Sequence, residues 1–274
     1  MTNVHDALEA KQNDEYRKAL SELLFQLADD DFITAYRGSE WLGLAPHIEE
    51  DIAYSSINQD TMGHAAIYYQ LLEQLGAGAA DALAHARPVQ DRKNAIILEE
   101  VNGPGTYLEE PKYDWAFTVV RNYFYDLYKK IKLESLKNSS YEPLSQAAVK
   151  INMEQYYHLM HWETWFRQLI LSGGEAKTRM VRAIEKVWQD FEGVLTLGAF
   201  GGELAKHGLI EGEELLKQRF YSKIKLIFSQ VQLPEPAPCG MKSGNGRNGE
   251  HTEDLKSALE VLSEVYRSDP SAVW

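Results

Sequence analysis

A single cysteine, Cys239, is all the thiol the sequence holds, so no internal disulfide can form. Long apolar runs are equally scarce. No segment approaches the ~20 apolar residues needed to cross a bilayer, because charge interrupts the longest patterns every few positions. Positive charge is in deficit, with 28 Lys and Arg against 41 Asp and Glu and a formal net charge of -13. Phosphate backbones are bound by clustered cations, so this balance argues against DNA or RNA as a partner. The opening MTNVHDALEAKQNDEYRKAL contains no apolar signal core. A cytoplasmic chain is expected, with no membrane and no nucleic-acid partner. Also missing are a Ser/His/Asp or Cys/His nucleophile system and a P-loop. The stretch CGMKSGNGRNG has glycines, Lys242 and Arg247, but neither a preceding strand nor GxxxxGK[ST] spacing.

What is present is helical. The chain has 274 residues, 44% of them hydrophobic, enough to fill a substantial core. Apolar residues recur three and four apart and convincing period-two alternation is absent, which predicts an all-α fold. The first helix is expected over about Asp14 to Gly38, with Leu20, Leu24, Leu27, Asp31 and Ala35 on its buried stripe. A second runs from about Pro46 to Gly76 on Ile57, Thr61, His64, Tyr68, Leu71 and Leu75. Pro88, Asn102, Gly103, Pro104 and Gly105 break the following stretch into short pieces and a loop. A third helix spans about Pro111 to Lys137 with Val119, Tyr123, Asp126 and Lys130 in line. The fourth spans Pro143 to Leu171 on Ala148, Ile151, Gln155, His158, Trp162 and Leu169. Two more follow, Glu175 to Leu195 and Glu211 to Ser229.

Residues 231–250 are rich in Pro and Gly and read as a flexible strap. Residues 251–274 carry a last helix, TEDLKSALEVLSEVYRS, capped by Thr252. Two helices, a long crossover, two helices and further C-terminal helices is the order of a ferritin-like four-helix bundle. Residues 16–274 are therefore expected to form one ferritin-like domain behind a mobile lead, residues 1–15.

Each of the four main helices carries an ionisable residue on its core stripe: Asp31, His64, Asp126 and His158. Buried charge is costly, so these groups must pair, hydrogen-bond or bind metal. Asp31 precedes His64 by 33 residues and Asp126 precedes His158 by 32, as in two related helix pairs. A di-iron carboxylate centre takes one carboxylate from each of two helices and Glu-x-x-His from each of the other two. Here the chelating positions hold Thr61 and Gln155. Two aspartates leave about half the charge of two divalent irons unbalanced in a low-dielectric core. A hydroxyl and an amide are weak, neutral ligands that do not bridge metals. Asp60 and Glu154 sit one residue earlier, about 100 degrees round the helix, and reach the centre only if the helices rotate.

The runs WLGLAPHIEEDIAYSSINQDTMGHA, NMEQYYHLMHWETWFRQLILSGGE and HTEDLKSALEVLSEVYRSDPSAVW resemble the C-subunit family of the ring 1,2-phenylacetyl-CoA epoxidases, from about Tyr16 to Trp274. The resemblance implies a ferritin-like sister of a catalytic A subunit, which carries the di-iron site and binds the acyl-CoA. It also implies a bridging B subunit, with a flavin and iron–sulfur reductase drawing on NADPH. Asp31, Thr61, His64, Asp126, Gln155 and His158 then stand at degenerate di-iron positions. No residue of this chain is catalytic on this reading. The chain itself needs no cofactor and no metal; if one binds, Asp31, His64, Asp126 and His158 are its ligands. Two other readings stay open: a di-iron monooxygenase in its own right, or a free-standing ferritin-like binding module.

Other features have plain readings beside sharper ones. His161 extends a metal site or packs with Trp162 and Trp165. The run Lys129 to Lys137 is a solvated helix face or a peripheral contact for coenzyme A phosphates. The aromatics of RNYFYDLY and QYYHLMHWETWF are core and subunit interface rather than a substrate box.

Overall fold

The computed structural model describes residues 3–106 and 108–272; of the expected N-terminal lead and C-terminal segment, Met1, Thr2, Val273 and Trp274 lie outside the described residues. Among these residues every regular element is a helix, and the one extended pairing is an isolated parallel bridge between Val4 and Tyr141. The all-α class is as the spacing predicts. The seven longer helices are α1 (Asp14–Ser39), α2 (Ile48–Gln74), α3 (Trp115–Leu136), α4 (Glu142–Leu171), α5 (Gly174–Trp188), α6 (Glu213–Gln230) and α7 (Glu253–Leu262).

Local chemistry fixes where they begin. The Asn13 side chain accepts from Glu15 N and Tyr16 N, both at 3.1 Å, and so starts α1. His47 Nδ1 accepts from Glu50 N at 3.1 Å, and Glu49, Glu50 and Asp51 load the positive end of α2 with negative charge. Asp114 caps α3 through Ala116 N at 2.9 Å, a proline opens α4, and Thr252 caps α7.

Where one domain is expected over 16–274, the chain divides into two compact units. One holds Asn102–Lys242 with Val4; the other holds His5–Val101 and the chain from Ser243 onward. In the second unit α1 packs along α2, so closely that a Cβ on Gly38 would lie 1.9 Å from Asn58 Oδ1. In the first unit α3 packs on α4, α5 and α6, round an aromatic core in which Phe191 stacks on Phe220 at 5.3 Å and Trp188 meets Phe124 edge-on at 5.6 Å.

The two pairs are built alike. Every residue from Gln26 to Ala35 of α1 and from Ala116 to Lys129 of α3 is buried, so each is a helix enclosed all round. Helices α2 and α4 bury only one stripe. On α2 that stripe takes in Tyr54 and Asn58, with Ile57 half-buried; on α4 it drifts to Phe166 and Ile170, leaving Leu169 half-buried. The drift follows from a 3.6-residue turn, which a strict three-four spacing does not track for long.

Two expected helices stop early. The one expected to run to Leu195 ends at Trp188, where Gly240 N donates to Trp188 O at 2.9 Å and Lys242 N to Gln189 O at 3.1 Å; Glu192–Leu195 then form a separate turn. The terminal helix breaks at Ser263, and Glu264–Ser268 form a short turn of their own. The strap expected to be flexible is thus hydrogen-bonded to the end of α5 at Gly240 and Lys242. Within residues 1–15, Ala7–Ala10 form a short helix capped by Asp6. No helix among the described residues is long and apolar enough to cross a membrane.

Candidate functional site

All six positions singled out by spacing are buried: Asp31, Thr61, His64, Asp126, Gln155 and His158. Asp31 lies on α1, and Thr61 and His64 lie on the α2 face that packs with it. The hydroxyl of Tyr68, one turn beyond His64, is pushed well above its ordinary value by burial and by the negative charge of Asp31. Asp31 therefore lies near enough to Tyr68, on the same stripe of α2 as His64, for its charge to act there. Thr61 Oγ1 donates back to Ile57 O at 2.8 Å, so its hydroxyl is committed to its own helix.

The other unit repeats the arrangement. Asp126 lies on α3, and Gln155 and His158 lie one turn apart on α4. Gln155 Nε2 donates to Asp126 O at 3.4 Å, and its Oε1 is buried with no hydrogen-bond partner. In both sets the position that a di-iron centre fills with a chelating carboxylate holds a neutral side chain turned toward a backbone carbonyl. A second carboxylate per set is not supplied by the neighbours: Asp60 and Glu154 are half-buried, off the enclosed stripes. These donor sets do not fit two irons.

Residues 1–274 match the family model described as phenylacetic acid catabolic protein. The chain belongs to that family. Among curated relatives, the C subunit of 1,2-phenylacetyl-CoA epoxidase from Escherichia coli K12 is 25% identical over 256 residues, 93% of this chain and 99% of its own length. The A subunit of the same enzyme and organism is 24% identical over 177 residues, 64% of this chain and 53% of its own length.

Around this site the flanking features divide cleanly. RNYFYDLY is wholly buried, so it is core and not interface. In QYYHLMHWETWF, Tyr156, Tyr157 and Met160 are exposed while Gln155, His158, Trp162 and Phe166 are inside. His161 is half-buried with its ring against Trp162 at 4.7 Å. The basic run is not the solvated face expected: Lys129 and Lys132 are buried, each over a tyrosine of its own helix, Tyr125 and Tyr128. Lys130 and Lys137 remain outside and share Glu134, at 3.4 and 3.0 Å. Cys239 is buried against Tyr221 Oη at 3.0 Å, and burial pushes its thiol up to about 12.

Sequence reasoning missed a buried ionic web on α1. Asp29 is held by Arg87, by Tyr69 Oη at 2.6 Å and by Lys93 N at 2.8 Å, and Asp30 is held by Arg247. Glu99 accepts from Asn94, Thr252 N and Thr252 Oγ1 at 2.7 to 2.9 Å, and its Oε2 lies 2.8 Å from His251 Nδ1. The run Asp29-Asp30-Asp31 inside an apolar helix was the available signal. Three successive acids point three ways round a helix, so they mark a helix enclosed on every side.

Proposed function

We propose that this chain is the non-catalytic structural subunit of a multicomponent 1,2-phenylacetyl-CoA epoxidase. It docks with a di-iron catalytic A subunit in aerobic phenylacetate catabolism in the cytoplasm. The observation that carries the reading is Thr61 and Gln155, neutral side chains at the two chelating positions with their donors spent on Ile57 O and Asp126 O. Buried Asp31, His64, Asp126 and His158 then serve as hydrogen-bonding polar interior of a ferritin-like scaffold, with no metal. Likeness to the C subunit over nearly the whole of both chains favours the structural role over that of the A subunit.

Conversion of phenylacetyl-CoA to its ring 1,2-epoxide and water, using O2 and two electrons from a reductase, belongs to the complex. A bridging B subunit completes it. The docking face is the outer side of α4, where Val149, Met153, Tyr156, Tyr157 and Met160 form an exposed stripe at spacings of three, four and eight. Such a stripe is costly to leave in water and suits a helical sister subunit.

Co-expression with the catalytic subunit, followed by size-exclusion chromatography and iron analysis, tests the proposal. One stable mixed complex is expected, with iron present only when the catalytic subunit is. A chain that elutes alone as a homo-oligomer, or that purifies alone loaded with iron, overturns it.

A further inference from the structure

Glu264–Ser268, the turn beyond the break at Ser263, has few side chains to hold it in place. Glu264, Val265, Arg267 and Ser268 are exposed, and of the five residues Tyr266 alone is half-buried. Its ring stacks on His85, the last residue of the short helix Ala80–His85, with centroids 5.5 Å apart and planes at 24°. His85 in turn meets Phe32 of α1 edge-on at 5.4 Å, and its ring donates to the Leu262 carbonyl at the end of α7. A single imidazole thus ties the last turn to α1 and to the short helix.

The tie suits a neutral ring. His85 Nδ1 is sealed from solvent and has no hydrogen-bond partner among the described residues. On a protonated ring this nitrogen becomes a charged donor with nothing to donate to, which is costly inside a protein. Arg92 adds to the cost and is fixed in place, donating to Ala84 O at 2.6 Å with its guanidinium over the Phe32 ring at 5.5 Å. The opposing carboxylate, Asp81, lies one turn earlier on the short helix and is exposed. On α1, Asp29 is taken up by Arg87 and Arg92, and on the turn Glu264 and Arg267 are exposed. Burial first and Arg92 second therefore outweigh Asp81 and the Leu262 bond, and His85 sits below its ordinary 6.5. A cavity of about 260 Å³ lined by Asp81, His85, Leu262, Val265 and Tyr266 leaves the turn loosely packed beside the stack.

We infer that His85 is a pH-sensitive latch: once protonated it leaves the Tyr266 stack and frees Glu264–Ser268. A base whose folded pKa is depressed contributes its stability in full above the unfolded value, and loses it as pH falls from there to the folded value. The latch is therefore closed at pH 7.5 and begins to open near 6.5. It is independent of the six proposed di-iron positions and of the α4 docking face.

Amide hydrogen exchange of the full chain, read by mass spectrometry and corrected for the intrinsic rate at each pH, tests the inference. Between pH 7.5 and 5.5 a released imidazole of ordinary pKa raises the open population by up to about tenfold. Peptides covering residues 260–268 should lose protection about fivefold to tenfold, while those of α3 keep theirs. His85→Phe keeps a ring for Tyr266 to stack on and takes up no proton, so its protection over 260–268 should not vary with pH. Less than twofold change in the parent chain, the same change in His85→Phe, or an equal loss across α3 overturns the inference. Should thermal melts show that His85→Phe does not fold, deuterium exchange at the imidazole C2 of the parent chain reads the titration of His85 directly. A value below 6.5 is expected, and one at or above it overturns the latch.

Discussion

Asp30 and Arg247 lie 217 positions apart in the chain and form a two-pronged ion pair, Nη1 to Oδ1 and Nη2 to Oδ2, each at 2.8 Å. Both side chains are sealed from solvent. Arg247 also donates to Lys93 O, and the chain around it comes so close that a Cβ on Gly246 would lie 1.9 Å from Asn94 O. The strap residues from Ser243 are thereby clasped onto α1. Removing one partner leaves an uncompensated buried charge, at a cost of about 3–5 kcal/mol. Asp30→Ala and Arg247→Met are each expected to lower the unfolding free energy in urea titrations by that amount. The paired change Asp30→Ala with Arg247→Met should cost less than the sum. Additive losses would mean the two side chains do not act as a pair.

The neighbouring Asp29 gives a pH dependence. Burial raises its pKa, but the charges of Arg87 and Arg92 and hydrogen bonds from Arg87 and Tyr69 outweigh burial, and the net shift is below the ordinary 3.8. A carboxyl whose folded pKa is depressed contributes stability in full above its unfolded value, and loses it as pH falls through the folded value. The stability gap between the parent chain and Asp29→Asn is therefore expected to be constant from neutral pH down to about 4, and to narrow below that. Denaturant titrations across this range check it; a gap that widens with acid would reverse the assignment.

How far sequence led to this picture depends on what kind of contact is at issue. The start of α1 at Asp14 and the end of α4 at Leu171 were legible because caps, proline and glycine act within a few residues. Asp31, Thr61, His64, Asp126, Gln155 and His158 were legible as interior positions because a stripe repeats every turn. Asp29 and Asp30 were not, since reading one stripe assumes a helix with a wet face, and α1 has none over Gln26 to Ala35. Nor could spacing show that Arg247, in a Pro/Gly-rich strap, answers an aspartate on the first long helix. Such pairing is a property of tertiary structure. The burial of Lys129 and Lys132 was hidden for the same reason: α3 is enclosed, and a charge run on an enclosed helix is not a solvated face.

The thiol offers a simple check on the packing of the strap. Burial, with the charge of Glu192, lifts Cys239 from 9.0 to about 12, while the Tyr221 hydroxyl partly offsets the rise. A rise of that size leaves roughly a thousandth of the thiolate, the form that reacts. Ellman's reagent should label the folded chain slower than the urea-unfolded chain by about that factor or more. Comparable rates would mean that the strap opens freely at Gly240.

On the proposed reading of Asp31, Thr61, His64, Asp126, Gln155 and His158 as degenerate di-iron positions, the charge deficit can be repaired. Glu at positions 61 and 155 restores a chelating carboxylate one turn before each histidine, raising the anionic ligands from two to four. Thr61→Glu with Gln155→Glu is expected to raise iron affinity at least tenfold over the parent chain, read by anaerobic Fe(II) titration. Either single change should give less. Unchanged affinity in the double variant would count against the assignment of these six positions.

The proposed docking face leads to the last prediction. Met153 and Tyr156 are 62% and 58% exposed, whereas their neighbours Gln155 and His158 are inside, so α4 turns one face to the core and the opposite face to water. A charge on the outer face costs the isolated chain little, because exposed substitutions typically change stability by less than about 0.5 kcal/mol. In a docked complex the same charge is desolvated without a partner, at a cost of several kcal/mol. Met153→Asp with Tyr156→Asp should therefore leave the melting temperature of the chain alone almost unchanged while abolishing its co-elution with the catalytic subunit. Thr178→Asp, on α5, should do neither. If the double variant still co-elutes at parental affinity, docking uses another face and the α4 stripe must be assigned elsewhere.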